Sequence, residues 1–252
     1  NALLSETFLE NIIAVTKAHP EVGVFGGKLL RAFGENLGDE VFKETIRSDR
    51  FDSVGLIGSK NRKVSHRGAG EMDEGQFDKQ ELVFGISGVL ALYRASALGE
   101  IRYKDSVLDN DFGSYQEDVD MAWRLQHAGW DALYVPSAVA YHYRGLYDPE
   151  GQGLRYKIRN RRLRSVFQNY FSTRNHWFVL VKSLRISNLL LSLPRILVHE
   201  CVRVVYVVIF EPKGLRAVVE FVKYFPRMIK KRVFIMRSSK RSAKDLRKWF
   251  QG

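Results

Sequence analysis

The feature that most limits how this chain can fold is where its charge lies. Residues 1–153 carry 16 Lys and Arg against 24 Asp and Glu, net −8, while residues 154–252 carry 24 against 4, net +20, which together give the overall +12. The chain therefore reads as two electrostatic bodies, and the second calls for a polyanionic partner, either nucleic acid or an anionic membrane face. At 252 residues and 45% hydrophobic content there is a core to bury, so disorder is excluded. The lone Cys201 can close no internal disulfide and build no thiolate zinc site, which fits a reducing compartment such as the cytosol. The six histidines lack the spacing of a metal-binding helix.

In the basic body, from about Gly151, helices are predicted over 154–169, 189–210 and 217–231, followed by a basic tail over 246–250. Pro194, Pro212 and Pro226 are expected to break the runs. Arg195, Glu200 and Arg203 interrupt the longest apolar stretch, so no helix is expected to cross a bilayer. Val218, Phe221, Val222, Phe225 and Ile229 form one stripe with Lys223, Arg227, Lys230 and Lys231 at its edges, as in an interfacial helix. A core helix with a solvated basic face has the same pattern.

The acidic body opens with a predicted helix over 6–18, with Phe8, Ile12 and Val15 inward. Residues 21–30 read as a strand, a glycine turn at Gly26 and Gly27, and a second strand; Gly23, Gly26 and Gly27 match no phosphate-binding fingerprint. Residues 34–80 are polar and glycine-rich, a loop region with strand pieces near 53–57. A buried strand is expected over 81–91, interrupted at Ser87-Gly88 by a bulge or by close approach of a ligand or another backbone, with a short helix near 95–98. Gly85-Ile-Ser-Gly88 is not the Gly-x-Ser-x-Gly of a nucleophile elbow, which disfavours serine-hydrolase chemistry. Asp109-Asn-Asp111 is assigned to a turn.

The most informative stretch is 115–124, Tyr-Gln-Glu-Asp-Val-Asp-Met-Ala-Trp-Arg, where three carboxylates crowd the start of a predicted helix ending at Gly129. Ser114 and Glu117 have capping-box spacing, which makes Glu117 a cap, and Asp118 and Asp120 gain from the helix dipole. Asp118, beyond the cap and at a loop mouth, is the candidate general base. Two short strands follow, over 131–136 and over 138–142, the second ending in His142.

The order Ser87-Gly88, Glu117-Asp118-x-Asp120-x-x-x-Arg124, Gly129-Trp130, Val135-Pro136 and His142, continuing to Arg174-Asn175-His176 and Lys182, resembles the family 2 inverting glycosyltransferases of GT-A type, in particular their bacterial rhamnosyltransferase-like branch. The resemblance implies an α/β fold, with the acceptor-side second half of a Rossmann-like GT-A domain in residues 1–150 and a basic, helical, membrane-surface region in 151–252. A nucleotide-binding half of about one hundred residues, ending in an Asp-x-Asp metal motif, is then expected before Asn1, and without it this piece would lack activity on its own. It further implies Asp118 as base, Glu117, Asp120, Trp123, Arg124 and Trp130 as acceptor-side and helix-supporting residues, and Ser87, Gly88 and His142 facing the donor diphosphate. His142 would also be a ligand of a divalent Mg or Mn ion. The segments 52–56 and 67–76 would line the acceptor side. The implied partners are a nucleoside-diphosphate sugar donor, a lipid-linked saccharide acceptor and the anionic inner face of the plasma membrane, on which the protein would be a peripheral cytoplasmic enzyme. No nucleic acid is expected. The rival readings are a basic nucleic-acid-binding protein, for which no recognition motif is present, and a non-catalytic carbohydrate-binding fragment.

Overall fold

The structure is a computed structural model and describes residues 2–33, 46–143, 159 and 161–250. The expected domain boundary at 150, the first part of the 154–169 helix and residues 34–45 of the polar loop region lie outside or partly outside these residues. The chain forms two compact units, one of residues 1–56, 66–94 and 131–160, the other of residues 57–65, 95–130 and 161–252. The second unit thus draws residues 95–130 from the acidic body, and the units do not follow the charge boundary.

The first unit is a mixed sheet around two long parallel strands, β2 (Val22–Phe33) and β8 (Asp131–Tyr143). Strands β1 (Ala2–Leu4) and β6 (Glu81–Val83) pair antiparallel with β8, and β3 (Ile46–Ser53) and β7 (Leu92–Tyr93) pair antiparallel with β2. β2 is buried along nearly its whole length, as a central strand covered on both faces should be. Helix α1 (Phe8–Thr16) lays Phe8 and Ile12 on Val22, Phe25, Leu29, Leu133 and Ala140, with Val15 half-buried at the edge of the same cluster.

The predicted glycine turn is absent, and residues 21–30 fall in one strand. A Cβ on Gly26 would stand 2.3 Å from Ile86 Cγ2, and one on Gly27 only 1.9 Å from the Ala138 carbonyl oxygen. These glycines therefore permit close packing across a strand and do not reverse it. The strands expected over 131–136 and 138–142 are likewise one, with an irregularity: Val135 lies opposite Gly27 but Val139 opposite the next residue, Lys28. The bulge so formed leans the Ala138 carbonyl onto Gly27. The strand expected over 81–91 stops at Val83, because the chain then turns Ile86 over Gly26 and offers the Gly85 carbonyl to Leu56 N–H.

The second unit is helical, with α2 (Ala95–Ile101), α3 (Glu117–Ala128), α4 (Val166–Ser183), α5 (Ile186–Phe210), α6 (Leu215–Arg237) and α7 (Ala243–Arg247). To these it adds residues 57–65 from the hairpin of β4 (Leu56–Gly58) and β5 (Val64–His66). Capping boxes open α4 (Ser165 with Gln168) and α7 (Ser242 with Asp245). Pro194 and Pro226 lie inside α5 and α6 and do not end them. Both are exposed, so the backbone bond each removes is missing on the outer face and not in the packed core. Pro212 does separate the two helices, by opening a short 3-10 turn. The expected tail over 246–250 is packed: Leu246 and Phe250 are buried, and the Phe250 ring stacks on Trp123 at 5.0 Å and 14° with the Arg62 guanidinium 4.9 Å from its centre. No helix among the described residues is long and apolar enough to cross a membrane.

Candidate active site

The acid-rich start of α3 is built by its entry loop. Tyr115 and Gln116 are consecutive non-glycine residues in left-handed conformation, at φ 65° and 70°, an arrangement that costs about 1–2 kcal/mol per residue. They put Gln116, not Ser114, at the N-cap, and no side chain caps the helix there. The expected Ser114–Glu117 capping box therefore does not form, because two left-handed residues separate Ser114 from the first turn. Asp118 instead accepts the Val119 N–H on Oδ1 at 2.8 Å. Glu117 reaches the surface, but the protein crowded around it raises its carboxyl pKa, and the neighbouring Asp118 charge raises it further.

What offsets the strained entry is the pair Arg174-Asn175 on α4. The buried Asn175 amide donates to the carbonyls of Phe112 (2.9 Å), Ser114 (2.7 Å) and Tyr115 (2.7 Å), and Arg174 donates to those of Asp111 (2.7 Å) and Phe112 (2.8 Å). Arg174 is held in turn by Glu220 of α6 at 3.0 Å. Below the loop lies a buried charge network. Lys182 of α4 bonds Asp109 and sits 2.6 Å from Asp120, and Lys231 of α6 bonds Asp109 and, at 2.6 Å, Asp111. Burial alone would raise the Asp109 pKa, but the ammonium groups of Lys182 and Lys231 overcome it and hold the carboxyl down to about 2. Asp109 also makes the expected turn, its carboxylate accepting the Asp111 N–H at 3.1 Å.

The other residues singled out on α3 point inward. Asp120 is buried and pairs with Arg124 at 2.9 Å, and Arg124 also donates to the carbonyls of Ile101 and Val107. Trp123 is buried under Phe250, and Trp130 is half-buried just past the Gly129 cap. Asp120, Trp123 and Arg124 thus lie in the interior of the helical unit and brace α3.

In the sheet unit, His142 stands at the end of β8 with Nδ1 2.8 Å from Asp52 Oδ2, and Asp52 is buried on β3. With Nδ1 occupied, Nε2 is the nitrogen left to meet a ligand. Arg31 lies beside His142 on β2. Ser87 is buried, its hydroxyl taking the Val89 N–H at 3.4 Å, while Gly88 is exposed. Lys28 is held by Asp73 (2.6 Å) and Asp78 (2.7 Å), which raise its pKa against the opposing effect of burial. Among the described residues no three His, Cys, Asp or Glu side chains converge to hold a metal. Thus Asp118, Glu117, Asp120, Trp123, Arg124 and Trp130 belong to the helical unit, and Ser87, Gly88 and His142 to the sheet unit. Sequence reasoning gave no role to Asp52 or Asn175, although both stand in segments it had picked out.

The model of the family described as Glycosyl transferase family group 2 matches residues 2–211, and the chain belongs to that family. The match begins at residue 2 and runs past the boundary drawn at 150, and so gives no support to a fold confined to the second half of such a domain. N-acetylglucosaminyl-diphospho-decaprenol L-rhamnosyltransferase, in two strains of Mycobacterium tuberculosis (CDC 1551/Oshkosh and ATCC 25618/H37Rv), is 41% identical over 59 residues, which are 23% of this chain and 18% of the relative's own length. Among solved structures, GalNAc-T7 with UDP, GalNAc and Mn2+ aligns over 70% of this chain and 33% of its own, at 10% identity and a TM-score of 0.42.

Proposed function

We propose that this chain serves an inverting glycosyltransferase that moves a rhamnosyl or other hexosyl group from a nucleoside-diphosphate sugar to a lipid-linked or polysaccharide acceptor in cell-envelope glycan synthesis, working on the inner face of the plasma membrane. The observation that carries the reading is the carboxylate pair Glu117-Asp118 at the mouth of α3, on a loop strained by two left-handed residues and held by Arg174 and Asn175. Strain held by a dedicated buried support is a mark of a functional position. The family match over residues 2–211 supplies the reaction class, and the 59-residue likeness favours rhamnosyl transfer to a polyprenyl-linked acceptor.

In this reading Asp118 takes the proton of the acceptor hydroxyl as its oxygen attacks the anomeric carbon. The bond from that carbon to the diphosphate oxygen breaks on the opposite face. One base suffices for an in-line displacement, so no second carboxylate at glycosidase separation is needed. Ser87, Gly88 and His142 would meet the donor diphosphate, with Asp52 fixing the tautomer and direction of the His142 ring. The resemblance also implies a Mg or Mn ion. The described residues do not fit a metal centre, since His142 offers a single nitrogen and no three candidate ligands converge, so no step is drawn through a metal.

Glu117 is the second candidate for the base, because its pKa is raised toward the range where a carboxylate accepts protons readily. Asp118→Asn and Glu117→Gln separate the two. With Asp118 as base, Asp118→Asn lowers turnover by about 10²–10⁴-fold with unchanged donor affinity, and Glu117→Gln stays within about tenfold. The reverse pattern transfers the role to Glu117, and near-normal turnover in both variants removes the proposal.

A further inference from the structure

Helix α5 is amphipathic the wrong way round for a helix in water. Three of its polar side chains face the protein: Asn188 donates to the Ala243 carbonyl at 2.8 Å, Ser192 accepts from Arg62 at 3.0 Å, and Glu200 is bound by His176 (3.0 Å) and Trp177 (2.7 Å) of α4. Most of its apolar side chains face outward, with Leu190 62%, Val198 67% and Val202 64% exposed and Leu197, Val205 and Ile209 exposed beside them, while Ile196 and Val207 are buried. A surface helix ordinarily buries its apolar stripe, so this one presents the stripe to something else. A contiguous apolar patch of this kind marks a protein or lipid contact.

The surrounding charge distinguishes those partners. The four carboxylates of residues 154–252 are all engaged within the helical unit: Glu200 as above, Glu211 by Arg161 (2.8 Å), Glu220 by Arg174 (3.0 Å) and Asp245 in its own capping box. Arg195, on α5 itself, and Arg162, whose guanidinium stands 5.3 Å from the centre of the exposed Phe210 ring, are exposed, as is Lys213 three residues past the end of the helix. The face is thus apolar and cationic. No helix among the described residues can span a bilayer. An outward apolar stripe, flanking cations and no spanning helix are the attributes of a helix lying in the plane of an anionic membrane.

We infer that the outer face of α5 docks into an anionic lipid bilayer, with Val198 and Val202 entering the acyl boundary. The inference rests on the reading of an acceptor met at a membrane surface and identifies the element that brings the protein there. Helix α6, whose sequence stripe suggested this role, is the lesser contributor, since Phe221 turns inward onto Trp177 (5.4 Å) and Phe178. Val222, Phe225 and Ile229 of that stripe, with Val219 beside them, remain exposed and extend the same kind of surface.

Cys201, the only cysteine, is exposed on the outward stripe and can carry an environment-sensitive fluorophore. With vesicles of phosphatidylglycerol and phosphatidylcholine the labelled chain should float and its emission shift to the blue. The double variant Val198→Asp, Val202→Asp changes only exposed positions and should retain the native melting temperature while losing tenfold or more in vesicle affinity. Transfer to a short-chain, water-soluble acceptor should be unchanged in the variant. Equal flotation of variant and native chain, or emission at Cys201 that stays as in water, overturns the inference. So does a lipid-free dimer that the variant splits, which would assign the face to a second copy, or binding to RNA tighter than to vesicles. Docking by the native chain within its full-length protein, with no transfer of sugar to any acceptor, supports the inference and removes the proposed function. Full activity in a chain that ignores vesicles does the opposite.

Discussion

Truncating Asn175 should show what the strained entry to α3 depends on. The Asn175 amide has two N–H groups to share among three carbonyl oxygens, those of Phe112, Ser114 and Tyr115, all within 2.9 Å. In Asn175→Ala the Phe112 carbonyl keeps Arg174 at 2.8 Å, whereas the Ser114 and Tyr115 carbonyls each lose a donor. At about 1–3 kcal/mol for each buried group left unsatisfied, and with water reaching part of the loop, a loss of about 2–4 kcal/mol is expected. For a chain of this size that is roughly 4–16 °C in melting temperature. Asn175→Asp keeps the shape but turns an acceptor toward the same carbonyls, and should be worse than alanine. Thermal melts of both variants, followed by turnover at a temperature where each remains folded, test this. A loss of only a degree or so in Asn175→Ala, or an aspartate variant as stable as native, would refute the argument that this side chain holds the loop.

Two further outcomes follow from the buried charges. Lys182→Met removes the cation between Asp109 and Asp120 and should cost about 3–5 kcal/mol in denaturant unfolding, since breaking a buried pair leaves a carboxylate without its counter-charge; an unchanged midpoint would show that Lys231 and Arg124 suffice. His127 and His176 are held neutral, each with its pKa lowered to about 4 by burial first and then by nearby arginines, with the Ser183 carbonyl opposing the shift at His127 and Glu200 opposing it at His176. The unfolded chain takes up these protons near the ordinary value of 6.5, so their contribution to stability is whole above that pH and is lost as pH falls from about 6.5 toward 4. Unfolding midpoints measured across that interval should fall steadily, and His127→Gln should flatten the fall.

Where the sequence was legible, it was through periodicity and fixed spacing. Phe8 and Ile12 faced inward as their spacing implied, and α3 began and ended within a residue or two of the reading from Glu117 and Gly129. The errors share one cause, which is that a neighbour distant in the chain decides the local state. Gly26 and Gly27 look like a turn until Ile86 and Ala138 press on them. Ser114 and Glu117 have the spacing of a capping box, yet Asn175, sixty residues on, holds the backbone between them left-handed. The arginine-rich stretch ending in Phe250 reads as a tail because only Trp123 gives that ring somewhere to go. In the candidate site, Asp118 and His142 were legible as motif positions, but their supports, Asn175 and Asp52, were not, because a side chain that works on a remote backbone or ring leaves no local pattern.

The stacking of Phe250 on Trp123 also fixes an order of assembly. Among the described residues β8 is the last strand of the sheet unit, and it ends at Tyr143. Helix α3 waits longer, because Phe250 follows Trp123 by 127 positions. At roughly 5–20 residues per second of synthesis, the second ring is made about 6–25 s after the first. During that interval the indole of Trp123 is without its stacking partner, so the helix that carries the candidate base is among the last parts of the chain to be finished.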